Sequence, residues 1–273
     1  MEKQTIIPSI WFDNNAEEAF LYYQSIFPNS SIKKSSPVVV EANLSGVNFI
    51  GINGGNMFQP NSSISFMVLC ETQEEIEHIW KNLQRNGKVL MSLDEYPWSK
   101  YYGWIIDRYH VSWQLYLGKL NDVNQQKIVP TLMFCGPQQG KCQDALNYYE
   151  AIFPNFKQEG ILKYDENFRP NQIQHSQFVA NNFTMMAMDS GVDQDFTFTE
   201  GISLTITCKN QEEIDFYWNH FTKNGEESRC GWCKDAFGVS WQIVPENIGQ
   251  LLQNSKAQEA LMKMNKIIIS DLI

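Results

Sequence analysis

Gly231-Trp232-Cys233-Lys234-Asp235-Ala236-Phe237-Gly238-Val239-Ser240-Trp241-Gln242 decides how this chain is read, because the chain carries the stretch twice. The earlier copy is Gly103-Trp104-Ile105-Ile106-Asp107-Arg108-Tyr109-His110-Val111-Ser112-Trp113-Gln114. Seven of the twelve positions are identical, and two of them are tryptophan. A match of that kind across 128 positions is a duplication.

Working outward, the same doubling runs through the chain. Ala19, Tyr22, Tyr23, Ile26 and Phe27 follow helical spacing and end at Pro28-Asn29. Ala145, Tyr148, Tyr149, Ile152 and Phe153 repeat that stripe and end at Pro154-Asn155. Apolar residues spaced in this way mark one face of a helix, and Pro after the last of them stops it. A second pair of stripes runs through Ile76, Ile79, Trp80 and Leu83 and through Ile214, Tyr217, Trp218 and Phe221. Short apolar runs precede each helix, such as 6–12, 64–70 and 129–134, and β-rich runs with turn residues follow. The order strand, helix, then about three strands occurs four times, twice per repeat. Asn14 with Glu17, and Thr72 with Glu75, have the spacing of capping boxes. The expected fold class is α+β, with repeats at 1–122 and 127–247 joined by a short polar linker.

The region 248–273 differs in character. Residues 250–266 are rich in helix formers and lead into Ile267-Ile268-Ile269. An amphipathic C-terminal helix with an apolar tail, packed on a domain or a partner subunit, is expected.

A formal charge of −10 excludes the clustered Lys and Arg of a nucleic-acid surface. No window holds the eighteen or more apolar residues of a membrane span. Met1-Glu2-Lys3-Gln4-Thr5 runs straight into a strand-like segment without a signal-peptide core, so a cytoplasmic location is expected. Hydrophobic residues at 43% supply two cores. The six cysteines do not form the dense framework of a disulfide scaffold. Cys230-Gly231-Trp232-Cys233 enters a strand, whereas redox pairs of that spacing sit at a helix start, and no second pair completes a zinc set.

Certain motifs together resemble the vicinal oxygen chelate (glyoxalase/bleomycin-resistance) superfamily. The likeness is strongest to its PhnB-like branch, often labelled 3-demethylubiquinone-9 3-methyltransferase. They are Ile7-Pro8 with Phe12, the doubled Ala-x-x-Tyr-Tyr-x-x-Ile-Phe-Pro-Asn, Met186-Ala187-Met188-Asp189, Asp235-x-Phe237-Gly238-Val239-Ser240-Trp241-Gln242, and the tail 260–266. The resemblance implies tandem glyoxalase-like domains of four βαβββ modules, each domain closing eight strands around a concave cleft. One chain would mimic the dimer of single-domain relatives, as a monomer or a homodimer.

In metal-dependent relatives the last strand carries a metal-binding carboxylate, and here the aligned residues are Gln114 and Gln242. A neutral amide is a poor ligand for a hard cation, and the opening strands hold no His, Asp or Glu. No metal and no cofactor is expected; a small organic molecule in a cleft is. The alternative is a metal-dependent lyase, isomerase or dioxygenase. A third possibility is a protein with filled clefts that acts through partner contacts. Strand alternation turns Ser112, Gln114, Ser240 and Gln242 toward the clefts and Trp113 and Trp241 toward the core. His175, Asp189, Trp104 and Trp232 complete the candidate lining; Asp189, before Ser190-Gly191, also reads as a turn residue. Where the second repeat has His175 and Asp189 the first has Glu41 nearby and Asn53, so unequal clefts are expected. A methyltransferase reading requires a Gly-rich turn entering a helix, and Gly51-Ile52-Asn53-Gly54-Gly55 leads toward another strand.

Overall fold

The computed structural model describes residues 4–273; Met1, Glu2 and Lys3 lie outside the described residues. Four modules follow one another. The first is strand β1 (Ile6–Phe12), helix α1 (Ala16–Ile26) and strands β2 (Ser31–Ser35), β3 (Val39–Leu44) and β4 (Val47–Asn53). The second is β5 (Ile64–Cys70), α2 (Gln73–Leu83), β6 (Lys88–Tyr96), β7 (Ser99–Ile106) and β8 (Ser112–Leu117). The third is β9 (Ile128–Phe134), α3 (Cys142–Ile152), β10 (Lys157–Lys163), β11 (Ile173–Ala180) and β12 (Phe183–Asp189). The fourth is β13 (Ile202–Cys208), α4 (Gln211–Thr222), β14 (Glu226–Glu227), β15 (Trp232–Lys234) and β16 (Ser240–Pro245).

In every module the last strand returns to lie parallel to the first: β4 on β1, β8 on β5, β12 on β9 and β16 on β13. The modules then join in pairs through antiparallel first strands. β1 pairs with β13, and β5 pairs with β9. Two eight-stranded mixed sheets result, in the orders β14-β15-β16-β13-β1-β4-β3-β2 and β10-β11-β12-β9-β5-β8-β7-β6. Neither sheet belongs to one repeat. The first takes modules one and four, the second takes modules two and three, which corrects the expectation that each repeat closes its own cleft.

What holds the two modules of a repeat together is their helix-side core. Trp113 and Trp241 are fully buried there, as strand alternation requires. Tyr23 of α1 lies against Trp113 at a ring separation of 5.2 Å, and Tyr149 of α3 against Trp241 at 5.9 Å. The invariant Asp of the doubled stretch is the hub of each contact. Asp107 accepts from the Tyr23 hydroxyl at 2.7 Å, Trp113 Nε1 at 2.8 Å, and the backbone N–H groups of Tyr109 and Val111. Asp235 repeats all four bonds with Tyr149, Trp241, Phe237 and Val239. Burial pushes both carboxyls above the usual carboxylate range and the four donors push back. With two donors on each oxygen, the ionised form is the one this cradle fits.

Two local expectations give way. Asn14 and Glu17 form no capping box: Asn14 takes φ +59°, Asn15 occupies the cap without a side-chain bond, and Ala16 N donates to Asn53 Oδ1 at 2.9 Å. Thr72 does cap α2, accepting from Glu75 N at 3.2 Å. The C-terminal region is two short helices, α5 (Ile248–Leu251) and α6 (Ser255–Leu261), followed by a 3-10 turn over Ile269–Leu272. Asn254 starts α6 as its cap, accepting from Lys256 N, which interrupts the single expected helix. The tail packs on the chain itself: Ile267 is fully buried, and its carbonyl accepts from Gln211 Nε2 at the start of α4.

Candidate functional site

The sheet of modules two and three has two unlike faces. Phe66, Val68, Trp113, Leu115, Met185 and Ala187 belong to the helix-side core. Their neighbours along the same strands, Met67, Leu69, Gln114, Tyr116, Met186 and Met188, line a cavity of about 640 Å³ on the other face. The sheet curls strongly, because Met91 of edge strand β6 and Leu162 of the opposite edge strand β10 border the same space. Its walls therefore come from both repeats. The linker supplies a further part through Asp122 and Val123.

Three of the sequence-derived candidates meet here: Gln114 and Trp104 from the first repeat and His175 from the second. Gln114 is almost fully buried and doubly engaged. Its Oε1 accepts from the Tyr102 hydroxyl at 2.7 Å and its Nε2 donates to Ser65 Oγ at 2.7 Å. Trp104 Nε1 donates to Ser112 Oγ at 2.8 Å, so Ser112 lies buried behind the indole, 3.1 Å from Ser62 Oγ. His175 stands in register one step beyond the Ser176–Ala187 pair, opposite Met188, which is itself paired with Met133. Among the described residues its ring has no hydrogen-bond partner, and burial holds its pKa below the ordinary value, leaving a neutral imidazole at pH 7.

Asp189 takes no part in the lining. It is fully buried on the helix side, accepting from Cys142 N at the start of α3 and from Ile173 N. Asn53 does the same for α1, which is why the two repeats place a short acceptor at that position. The Asp189 carboxylate thus serves the start of α3, where backbone N–H groups lack intrahelical partners.

Ser240, Gln242 and Trp232 belong to the other sheet, whose helix-free face is furnished differently. Trp11 replaces Met133 there and packs edge-on against Phe58 and Trp232 at 5.0 and 6.1 Å. Its Nε1 donates to Gly55 O at 2.7 Å, and a Cβ on Gly54 would lie 1.9 Å from its ring. Thr205 and Thr207 stand where the open cleft has Met67 and Leu69; Thr205 Oγ1 and Ser9 Oγ are 2.7 Å apart. Gln242 Nε2 donates to Ser203 Oγ at 3.0 Å, whereas Ser240 Oγ is buried and has no partner among the described residues. The two faces are unequal: one is occupied by its own indoles and hydroxyls, the other is open.

Among the described residues no three His, Cys, Asp or Glu side chains gather as a metal site. All six cysteines are free. His78, His110 and His220 are exposed, away from the cavity lining. The methionines and Tyr102, Tyr164 and Val123 were not among the sequence candidates. The alternation that turns Gln114 inward also turns Met67, Met133, Met186 and Met188 inward, so the signal was present in the strands.

A family model described as 3-demethylubiquinone-9 3-methyltransferase matches residues 4–116 and again residues 126–244. A putative 3-demethylubiquinone-9 3-methyltransferase, PhnB protein, from Bacillus cereus is 35% identical over 42% of this chain and 100% of that one, with a TM-score of 0.39. Glyoxalase I from Zea mays is similar over 90% of this chain and 95% of that one, with a TM-score of 0.56 at 10% identity, a likeness of fold. No curated protein matches the chain. Among the described residues no helix is long and apolar enough to cross a membrane.

Proposed function

We propose, from the premise that this chain belongs to the 3-demethylubiquinone-9 3-methyltransferase family, that it is a small-molecule-binding protein whose ligand occupies the cavity of the second sheet without a catalytic metal. The observation that carries this reading is the cavity itself: about 640 Å³, within the usual range for ligand sites, walled mainly by methionines and aromatic rings and reached by an unpartnered His175. Methionine suits such a wall because its flexible thioether adapts to a ligand's outline.

The residues do not fit the divalent ion that glyoxalase-type relatives imply. Gln114, at the carboxylate position, already spends its carbonyl on Tyr102 and its amide on Ser65. Methyl transfer stands outside the proposal as well, since the Gly51–Gly55 segment passes through turns into β5 and not into a helix. Free thiols throughout fit a reducing, cytoplasmic setting. Because one chain supplies all four modules, we take the monomer as sufficient for ligand binding.

A melting-temperature screen against a small-molecule library tests the proposal. A ligand at one hundred times its Kd should stabilise the protein by about 2.7 kcal/mol. Met186→Trp, which fills the cavity, should abolish the shift. Near-stoichiometric Ni, Zn, Mn or Fe in purified protein would overturn the metal-free part of the reading.

A further inference from the structure

Resting on that reading, we propose that the cavity takes an uncharged, largely aromatic molecule whose polar atoms lie along one edge, turned toward His175 on the third-module wall. The two walls differ in what they leave free. On the second-module wall the hydrogen-bonding side chains of β7 and β8 are already committed to the protein, and among the described residues only the indole N–H of the exposed Trp98, in the turn between β6 and β7, has no partner. Tyr102 donates to Gln114, Trp104 to Ser112, and Tyr116 weakly to Trp98 O at 3.4 Å. These groups offer the cavity only their rings, alongside the side chains of Met67, Leu69 and Met91. A ligand meets π-faces and thioethers there, the partners an aromatic body prefers.

The opposite wall keeps polar groups in reserve. Among the described residues the side chains of His175, Gln174 and Gln194 make no hydrogen bond, and all three line the cavity. Tyr164 lies on the same side, but its hydroxyl is committed to Asp189 O at 3.2 Å. The imidazole sits in a row with Met188 and Met133, so a polar atom meeting it places the rest of the molecule over thioethers.

Charge is excluded by composition. Among the described residues neither Lys nor Arg lines the cavity, and Asp122, at an exposed linker position, is the only carboxylate that does. Arg169, the nearby cation, is turned to Asp193 Oδ1 at 2.7 Å and Gly191 O. A phosphate, sulfonate or carboxylate brought inside would find no counter-charge, and an unpaired buried ion is costly.

Two fluorescent probes sharing one skeleton separate these statements. N-phenyl-1-naphthylamine is uncharged and carries one N–H; 8-anilinonaphthalene-1-sulfonate adds a sulfonate. The uncharged amine should bind with enhanced emission, and the sulfonate at least about a hundredfold more weakly. His175→Leu should weaken the amine roughly three- to tenfold, the worth of one hydrogen bond. Met186→Trp should abolish its binding. If both probes bind equally and Met186→Trp removes both, the charge inference falls while the cavity reading stands. If His175→Leu leaves the amine's affinity unchanged, the orientation falls alone. If neither probe binds, or if Met186→Trp has no effect, the cavity reading falls with the inference.

Discussion

The phenol of Tyr149 donates to the carboxylate of Asp235 across 2.7 Å, joining α3 of the third module to the β15–β16 hairpin of the fourth. Tyr23 and Asp107 make the same bond in the first repeat. These two contacts tie together modules that share no sheet, so the bond acts at a distance from any strand edge.

Removing that tie should be costly. Tyr149→Phe is expected to lower unfolding stability by about 1.5–3 kcal/mol, the worth of a hydrogen bond to a charged group. Asp235→Ala should cost more, since it strands both the phenol and Trp241 Nε1. A urea denaturation series measures both, and a double-mutant cycle with Trp241→Phe should show coupling. Additive effects would sink the idea of a shared hub.

The two faces of β16 should respond in opposite ways. Trp241→Ala deletes a fully buried indole and should cost roughly 3–5 kcal/mol. Gln242→Ala removes one bond from a half-buried amide and should cost at most about 1 kcal/mol. Gln114→Ala lies between, at about 1–3 kcal/mol, because Tyr102 and Ser65 both lose their partner. Equal losses at Trp241 and Gln242 would reverse the assignment of faces.

Acid should weaken the fold through His175. Burial holds its folded pKa below the ordinary 6.5, so the unfolded chain binds the proton more readily. Its contribution is therefore complete above about pH 6.5 and is lost as pH falls through the lowered folded value. Urea midpoints at pH 7.5 and pH 5 should drop further for the native protein than for His175→Gln. Identical slopes in the two proteins would count against the half-buried neutral ring.

A half-chain should not remain monomeric. A polypeptide of residues 1–122 holds modules one and two, and its strands β1 and β5 lose their partners β13 and β9. Open strand edges of that kind recruit another chain. Sedimentation should find a dimer that rebuilds first-strand pairs, and a stable, well-folded monomer would contradict the joining rule.

Much of this was legible in the residues. The doubled stretch and the helical stripes gave four modules, and alternation placed Trp113 and Trp241 inward correctly. Asp107 and Asp235 stand at matching positions, yet a lone acid in a turn reads as a turn residue until its Tyr and Trp donors are seen around it. Asp189 shows the same gap: its service to a helix start becomes readable only once Asn53 is found doing likewise. The crossing of modules between sheets was not legible at all. The four first strands are short apolar runs of the same length, and nothing local tells β1 to choose β13 over β5.

That crossing gives the duplicated protein an unusual freedom. A change on the helix-free side of module two or three alters the cavity face and falls on a different sheet from the opposite face, whichever half of the sequence it lies in. One face therefore carries its own packed indoles while its twin carries an open cavity, and neither difference follows the boundary between the copies.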